Sequence, residues 1–164
     1  MICEVGKQLS DMGFKRMILL NAHGGQISLL NTSARELRKI APNLKIFPCF
    51  LWSGIDGLKN LLTKSELENG LHASLAETSL MLALKPELVG DERPCEGIPL
   101  DIPQGWSLEG DSPTAWITKD LSKSGVIGDS RGSSEILGND LKKLLVNHWY
   151  NMLISLMSSD WLVK

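Results

Sequence analysis

The sequence predicts an α/β fold on a parallel sheet. The short, wholly apolar run at residues 17–20 suits a strand buried on both faces, and residues 45–52 read as a second strand. Between them, residues 26–40 repeat apolar side chains at helical spacing. The helix–strand–helix–strand order that results is that of βαβ units. With 164 residues, 43% hydrophobic and 22% charged, the chain is long and apolar enough for one domain, 1–164, with a sizeable core.

Residues 2–12 read as a helix, because Val5, Leu9 and Met12 recur at helical spacing and Gly13 offers a C-terminal stop. In residues 26–40, Leu30, Ala34 and Leu37 form the apolar stripe, and Arg35, Glu36, Arg38 and Lys39 lie elsewhere. Pro42 ends that helix. Residues 56–62 form a short helix, and residues 71–84 a longer one ending before Pro86. From 90 to 124 the pattern dissolves among Pro94, Pro99, Pro103, Pro113, Gly97, Gly105 and Gly110. So long an irregular connection points to a functional loop or a segment between subunits. Residues 133–156 close the chain as a helix with Leu137, Leu141, Leu144, Leu145 and Trp149 inward.

A net charge of −2, with no block of Lys or Arg, gives no support to nucleic acid as a partner. No apolar run reaches the length of a membrane span, and the first residues lack the pattern of a signal peptide. Cys3, Cys49 and Cys95 are widely spaced and odd in number, which fits buried thiols in a reducing compartment. Cytoplasmic localisation is the expectation.

Two stretches carry the chemistry. In Asn21-Ala22-His23-Gly24-Gly25-Gln26, a strand runs into a histidine and two glycines with a helix behind. His23 then stands at the carboxyl end of a strand, where open α/β sheets bind ligands, and neutral imidazole is a common metal ligand. The glycines clear room for a ligand near the main chain or supply positive φ for a sharp turn. The alternative is a glycine turn with an exposed histidine.

The second stretch is His72-Ala73-Ser74-Leu75-Ala76-Glu77-Thr78-Ser79. Five residues apart, His72 and Glu77 do not share a helical face, so they are not ligands on adjacent turns. His72 just ahead of the helix and Glu77 in its early turns would let Glu77 bind a metal while His72 shuttles a proton. The alternative is a surface glutamate favoured by the helix dipole.

Gly128-Asp129-Ser130-Arg131-Gly132 matches GxSxG, with Asp140 and His148 following in hydrolase order. The context is wrong, because both partners fall on the closing helix. Neither dinucleotide nor P-loop glycine patterns occur. Among the tryptophans, Trp149 and Trp161 are expected to pack. Trp52, at the carboxyl end of a strand, is a candidate wall of a substrate pocket; Trp106 and Trp116 lie in the long loop, against a pocket or a neighbouring subunit.

These segments resemble the creatininase (creatinine amidohydrolase) family. Residues 21–26 are similar to its NGHGGN segment and residues 72–79 to its HAGxxETS segment. Gly125-Val126-Ile127-Gly128-Asp129 is similar to its late GvxGDP loop, in the same order. The resemblance implies a three-layer α/β/α fold with a mainly parallel sheet, lacking the family's N-terminal strands. It also implies two divalent metal ions, zinc or manganese, in the complete protein. His23 and Glu77 are the implied metal ligands, His72 the proton-handling residue, and Gly24 a substrate contact.

The family's other ligands, a glutamate–histidine pair and a bridging aspartate, lie in an N-terminal segment with no counterpart here. The expectation is therefore a C-terminal portion whose start lies within a longer protein. Two protein ligands are also fewer than the three that even an open zinc site takes. The implied reaction is metal-dependent hydrolysis of a small cyclic amide or formamide C–N bond. Creatinine itself is not expected, because creatininase proper has a Trp-Asp pair where this chain reads Glu68-Asn69, and a carboxylate where it has Gly25. A small-molecule amide and further copies of the chain, in a homo-oligomer, are the implied partners. The competing reading is a catalytically incomplete remnant serving as an assembly or binding module.

Overall fold

The computed structural model describes residues 1–97 and 101–161. The predicted subunit-contact loop includes residues 98–100, which lie outside the described set. The chain falls into two compact units, Met1–Ile55 with Asn147–Lys164, and Asp56–Val146.

The first unit contains α1 (Ile2–Asp11), β1 (Arg16–Asn21), α2 (Ile27–Ile40) and β2 (Lys45–Phe50). Strands β1 and β2 pair in parallel from Arg16↔Lys45 to Asn21↔Phe50. Pro48 sits opposite Leu19 and offers no N–H to a ladder, so it is tolerated where a strand has a free side. The predicted second strand ends at Phe50 rather than Trp52. Leu51 N–H makes the last rung to Asn21 O at 2.7 Å, and Ser53 N–H then turns back to Phe50 O.

The core of this unit is Leu37, Ala41 and Leu44, with Cys3, Met17 and Ile46 packed against it. Leu37 and Leu44 are fully buried, each contributing about 1.5–3 kcal/mol of hydrophobic stabilisation. The stripe predicted for the first helix is corrected here. Val5 and Met12 are exposed, and the buried residue of α1 is Gly6. An added Cβ at Gly6 would collide with the Leu37 side chain, so the missing side chain is what lets the backbone reach α2. Arg38 closes the turn after α2 by donating to the carbonyls of Pro42 and Leu44.

The second unit holds α3 (Leu58–Leu61), α4 (Lys64–Asn69), α5 (Leu75–Leu84), β3 (Cys95–Glu96), α6 (Thr118–Leu121) and β4 (Gly128–Asp129). Helix α7 (Glu135–Met157) spans the division at Val146 and Asn147. Strands β3 and β4 form a two-residue antiparallel pair.

The predicted helix 71–84 starts instead at Leu75, for two reasons. His72 is paired with Ile127 as an isolated bridge, and Ala73 adopts φ +49°, which no helix accommodates. Where α5 meets α7, Gly138 lies against the Ser79 backbone. On α7, Leu141 and Leu145 are buried, as their spacing predicts.

Candidate active-site segments

In the first unit, the carboxyl end of β1 is fixed by Asn21, which is 7% exposed. Its Nδ2 donates to His23 O at 2.7 Å, and its Oδ1 accepts from His23 N at 3.1 Å. This ring holds His23 in an extended conformation, φ −116° and ψ 124°, directly before a 3₁₀ turn at Gly24–Gln26. The imidazole-bearing residue is exposed.

Neither Gly24 nor Gly25 adopts positive φ, which removes the sharp-turn explanation for this pair. What the glycines provide is room. A Cβ at Gly24 would meet nothing within 4 Å, and one at Gly25 would stand 3.2 Å from His23 Nε2.

A cavity of about 410 Å³ opens at the carboxyl ends of β1 and β2. Asn21, Leu30, Cys49, Phe50, His148 and Trp149 line it; His23, Gly24 and Trp52 do not. Burial pushes the Cys49 thiol pKa up, leaving a neutral, weakly reactive sulfur. Trp149 is anchored by its Nε1–H to Leu51 O at 2.9 Å, and the His148 ring meets its indole edge-on at 5.4 Å. Trp52 is half-buried in the turn that follows β2.

In the second unit, the His72–Ser79 segment is held on every side by hydrogen bonds. Leu71 and His72 both donate to Ile127 O, at 2.9 and 3.1 Å, and Ile127 N–H returns to His72 O at 2.8 Å. Two of the three segments singled out in the sequence are thus paired backbone to backbone.

Gly128, at φ +132°, is required there. Its Cβ would stand 2.7 Å from Ser74 Cβ and 3.1 Å from Gly70 Cα. Glu77, in the first turn of α5, accepts from Ala73 N–H through Oε2 at 2.7 Å. Thr78 Oγ1 donates to Ala73 O at 2.9 Å. Ser79 Oγ accepts from Ser134 N–H at 3.1 Å, at the start of α7.

Sequence reasoning missed Glu66. Thr63 and Glu66 have the spacing of a capping box, and Thr63 Oγ1 does accept from Glu66 N–H. The Glu66 carboxylate, however, turns away from its own helix. Its Oε2 accepts from Ser74 Oγ at 2.5 Å and its Oε1 from Ala76 N–H at 2.8 Å. Glu66 is 9% exposed and Ser74 1%. Ser74 Oγ in turn accepts from Asp129 N–H at 3.0 Å. The polar run Thr63–Glu66 was the available signal, but it points to the wrong partner.

Asp129 is engaged by Arg131 through two side-chain bonds of 2.8 and 2.7 Å. That guanidinium holds the Asp129 pKa at about 2. Ser130 is 2% exposed and its Oγ donates to Pro94 O at 2.7 Å, so it is no nucleophile. Asp140 and His148 lie on one helix, eight residues and about 12 Å apart. The serine-hydrolase pattern fails on both counts.

The predicted site residues therefore divide. His72 and Glu77 share the second unit, while His23, Gly24 and Trp52 belong to the first. Among the described residues, no three His, Cys, Asp or Glu side chains cluster as a metal-holding group. The donor set described does not fit a metal centre by itself. No helix among the described residues is long and apolar enough to cross a membrane.

Residues 1–153 match the family model for creatininase, creatinine amidohydrolase. Among solved structures, the fold is similar to that of a creatinine-amidohydrolase-type protein from Bacteroides fragilis NCTC 9343. The TM-score is 0.76 at 21% identity, over 96% of this chain and 60% of that one. A zinc–zinc form of a creatininase mutant gives a TM-score of 0.70 at 21% identity, over 96% and 62%. A manganese creatininase gives 0.69 at 20%, over 96% and 63%. The chain thus spans about three fifths of the length of these structures. No curated protein matches the sequence. The reach of the family match across nearly the whole sequence, joined to this fold, makes the chain a member of the creatininase family.

Proposed function

We propose that this chain is part of a metal-dependent amidohydrolase that cleaves a small cyclic amide or formamide C–N bond, and that creatinine is not its substrate. Family membership over residues 1–153 carries the reading. The pairing of His72 with Ile127 supports it, because it joins the segment bearing the proton-handling histidine to the Gly-Val-Ile-Gly-Asp loop. In this reading His72 delivers a proton to the leaving nitrogen. Gly24 leaves its main chain open to a substrate, and Trp52 supplies an apolar wall.

His23 and Glu77 are the donors this chain would offer to divalent metal. Zinc–zinc and manganese forms are named among the similar structures. Two donors are fewer than a zinc site takes, and one Glu77 oxygen already holds Ala73 N–H. The proton transfer by His72 is accordingly the one step assigned. A cytoplasmic location and homo-oligomeric assembly belong to the same proposal. Exposed Tyr150 and Met157 on α7 support assembly.

The test is hydrolysis of a panel of small cyclic amides and formamides by the purified chain with zinc or manganese added. Activity falling by about 10²–10⁴-fold in His72→Gln is expected; undiminished turnover overturns the role of His72. Bound metal should fall in His23→Ala and Glu77→Ala.

The absence of a three-donor cluster among the described residues favours a second reading, a non-catalytic assembly or binding module. Stoichiometric metal together with hydrolysis eliminates that module. Absence of both metal and hydrolysis eliminates autonomous catalysis by this chain.

A further inference from the structure

We infer that Glu66 and Thr78 are positioning residues for His72, clamping residues 72–76 in a single backbone conformation. The functional meaning of the clamp rests on the role proposed for His72; its existence rests on geometry alone. Ala73, next to His72, sits at φ +49°, a left-handed conformation that a residue with a Cβ resists. Such residues persist only where the surroundings over-determine them.

Here both main-chain groups of Ala73 are held by side chains from the first turn of α5. Glu77 Oε2 takes the N–H at 2.7 Å and Thr78 Oγ1 donates to the carbonyl at 2.9 Å. The next residues are held from α4, where the Glu66 carboxylate takes the Ser74 hydroxyl at 2.5 Å and the Ala76 N–H at 2.8 Å. On the other side, the main chain of His72 is paired with Ile127.

A helix start does not need this much restraint. A serine ahead of a helix ordinarily caps it with its own hydroxyl. Ser74 holds the N-cap position of α5 without capping it, its Oγ being turned to Glu66. A buried carboxylate is tolerated only when its oxygens are satisfied, and both oxygens of Glu66 are satisfied on this one segment. The arrangement removes freedom from the backbone that carries the imidazole. Neither Glu66 nor Thr78 need touch a substrate for that.

The chain has three histidines, so the Cε1–H region of its proton–carbon spectrum contains three imidazole signals, assignable with His→Gln variants. Thr78→Val keeps the side-chain shape and removes the donor; Thr78→Ser restores the donor. At fixed pH, Thr78→Val should shift or broaden the His72 signal and spare those of His23 and His148. Thr78→Ser should return it to its original position. Glu66→Gln should move the same signal, and if that variant does not fold, Thr78→Val decides alone.

An unmoved His72 signal in folded Thr78→Val overturns the inference. So does equal movement of all three signals, which would mean general loosening. Retained hydrolysis in His72→Gln would sink the functional reading and leave this spectroscopic test intact.

Discussion

Replacing Gly138 by alanine should destabilise the protein, although the same change in an open helix does the opposite. Alanine is favoured over glycine by at most about 1 kcal/mol within a helix. Against that gain stands a collision. The new Cβ would lie 2.6 Å from the Ser79 carbonyl carbon and 2.8 Å from Ala83 Cβ, with the Ser79 carbonyl oxygen nearer still. Two of those three atoms are backbone, so no rotamer change relieves the contact; α5 and α7 must move apart.

Overpacking of this kind costs about 1–3 kcal/mol, and an immovable obstacle belongs in the upper part of that range. The net loss is then about 1–2 kcal/mol, or roughly 2–8 °C in Tm for a chain of this length. Thermal melting followed by circular dichroism measures it. Gly90→Ala is the control, because a Cβ there meets nothing within 4 Å; its change should stay within about 0.5 kcal/mol. A Gly138→Ala protein melting at or above the parent temperature would refute the close crossing of the two helices.

Two further outcomes follow from packing and from charge. Leu37→Ala should lose about 2–5 kcal/mol, as a fully buried leucine does. Adding Gly6→Ala should recover part of that loss, although Gly6→Ala alone clashes with Leu37; chemical denaturation of the two singles and the double measures this reversal of sign. Glu96 accepts four hydrogen bonds through Oε2, from Ser122 Oγ, Lys123 N, Ser124 N and Ser124 Oγ. These donors, the Ser122 hydroxyl first, lower its pKa from 4.5 to about 2. A lowered folded-state pKa means stabilisation that is present above the ordinary carboxyl value and lost as pH falls towards 2. Tm measured between pH 5 and pH 2 should fall less steeply in Glu96→Gln than in the parent; identical slopes would exclude the carboxylate from the acid response.

Much of the first unit was legible because period and composition suffice there. The apolar run of β1 marked the strand and the stripe of α2 the helix, although β1 is not buried on both faces as expected, Leu20 being exposed. Helix α1 shows where periodicity misleads, since Val5 and Met12 repeat at the right interval yet face outward, while a residue with no side chain makes the contact. Strands β3 and β4 have two residues each, too few for any alternation to register.

Around His72 the periodicity ran the helix back to residue 71, whereas the chemistry favoured a histidine just ahead of it; the structure starts the helix at Leu75 and so keeps the second arrangement. It gave no sign of the positive φ at Ala73, because alanine is not a residue that announces one. Nor did it reveal Glu66, whose local pattern promised a partner three residues back rather than eight ahead.

That misdirected carboxylate has a consequence for how the second unit comes apart. A helix of six residues does not persist in water on its own strength. With Glu66 exported to the next loop, α4 lacks the reciprocal bond that would close its own first turn. Part of its order is thus borrowed from the histidine segment, which α4 in turn helps to hold alongside Ile127 and Thr78. Removing the Glu66 carboxylate should therefore loosen both at once, which hydrogen exchange at the α4 and Ser74–Ala76 amides would show.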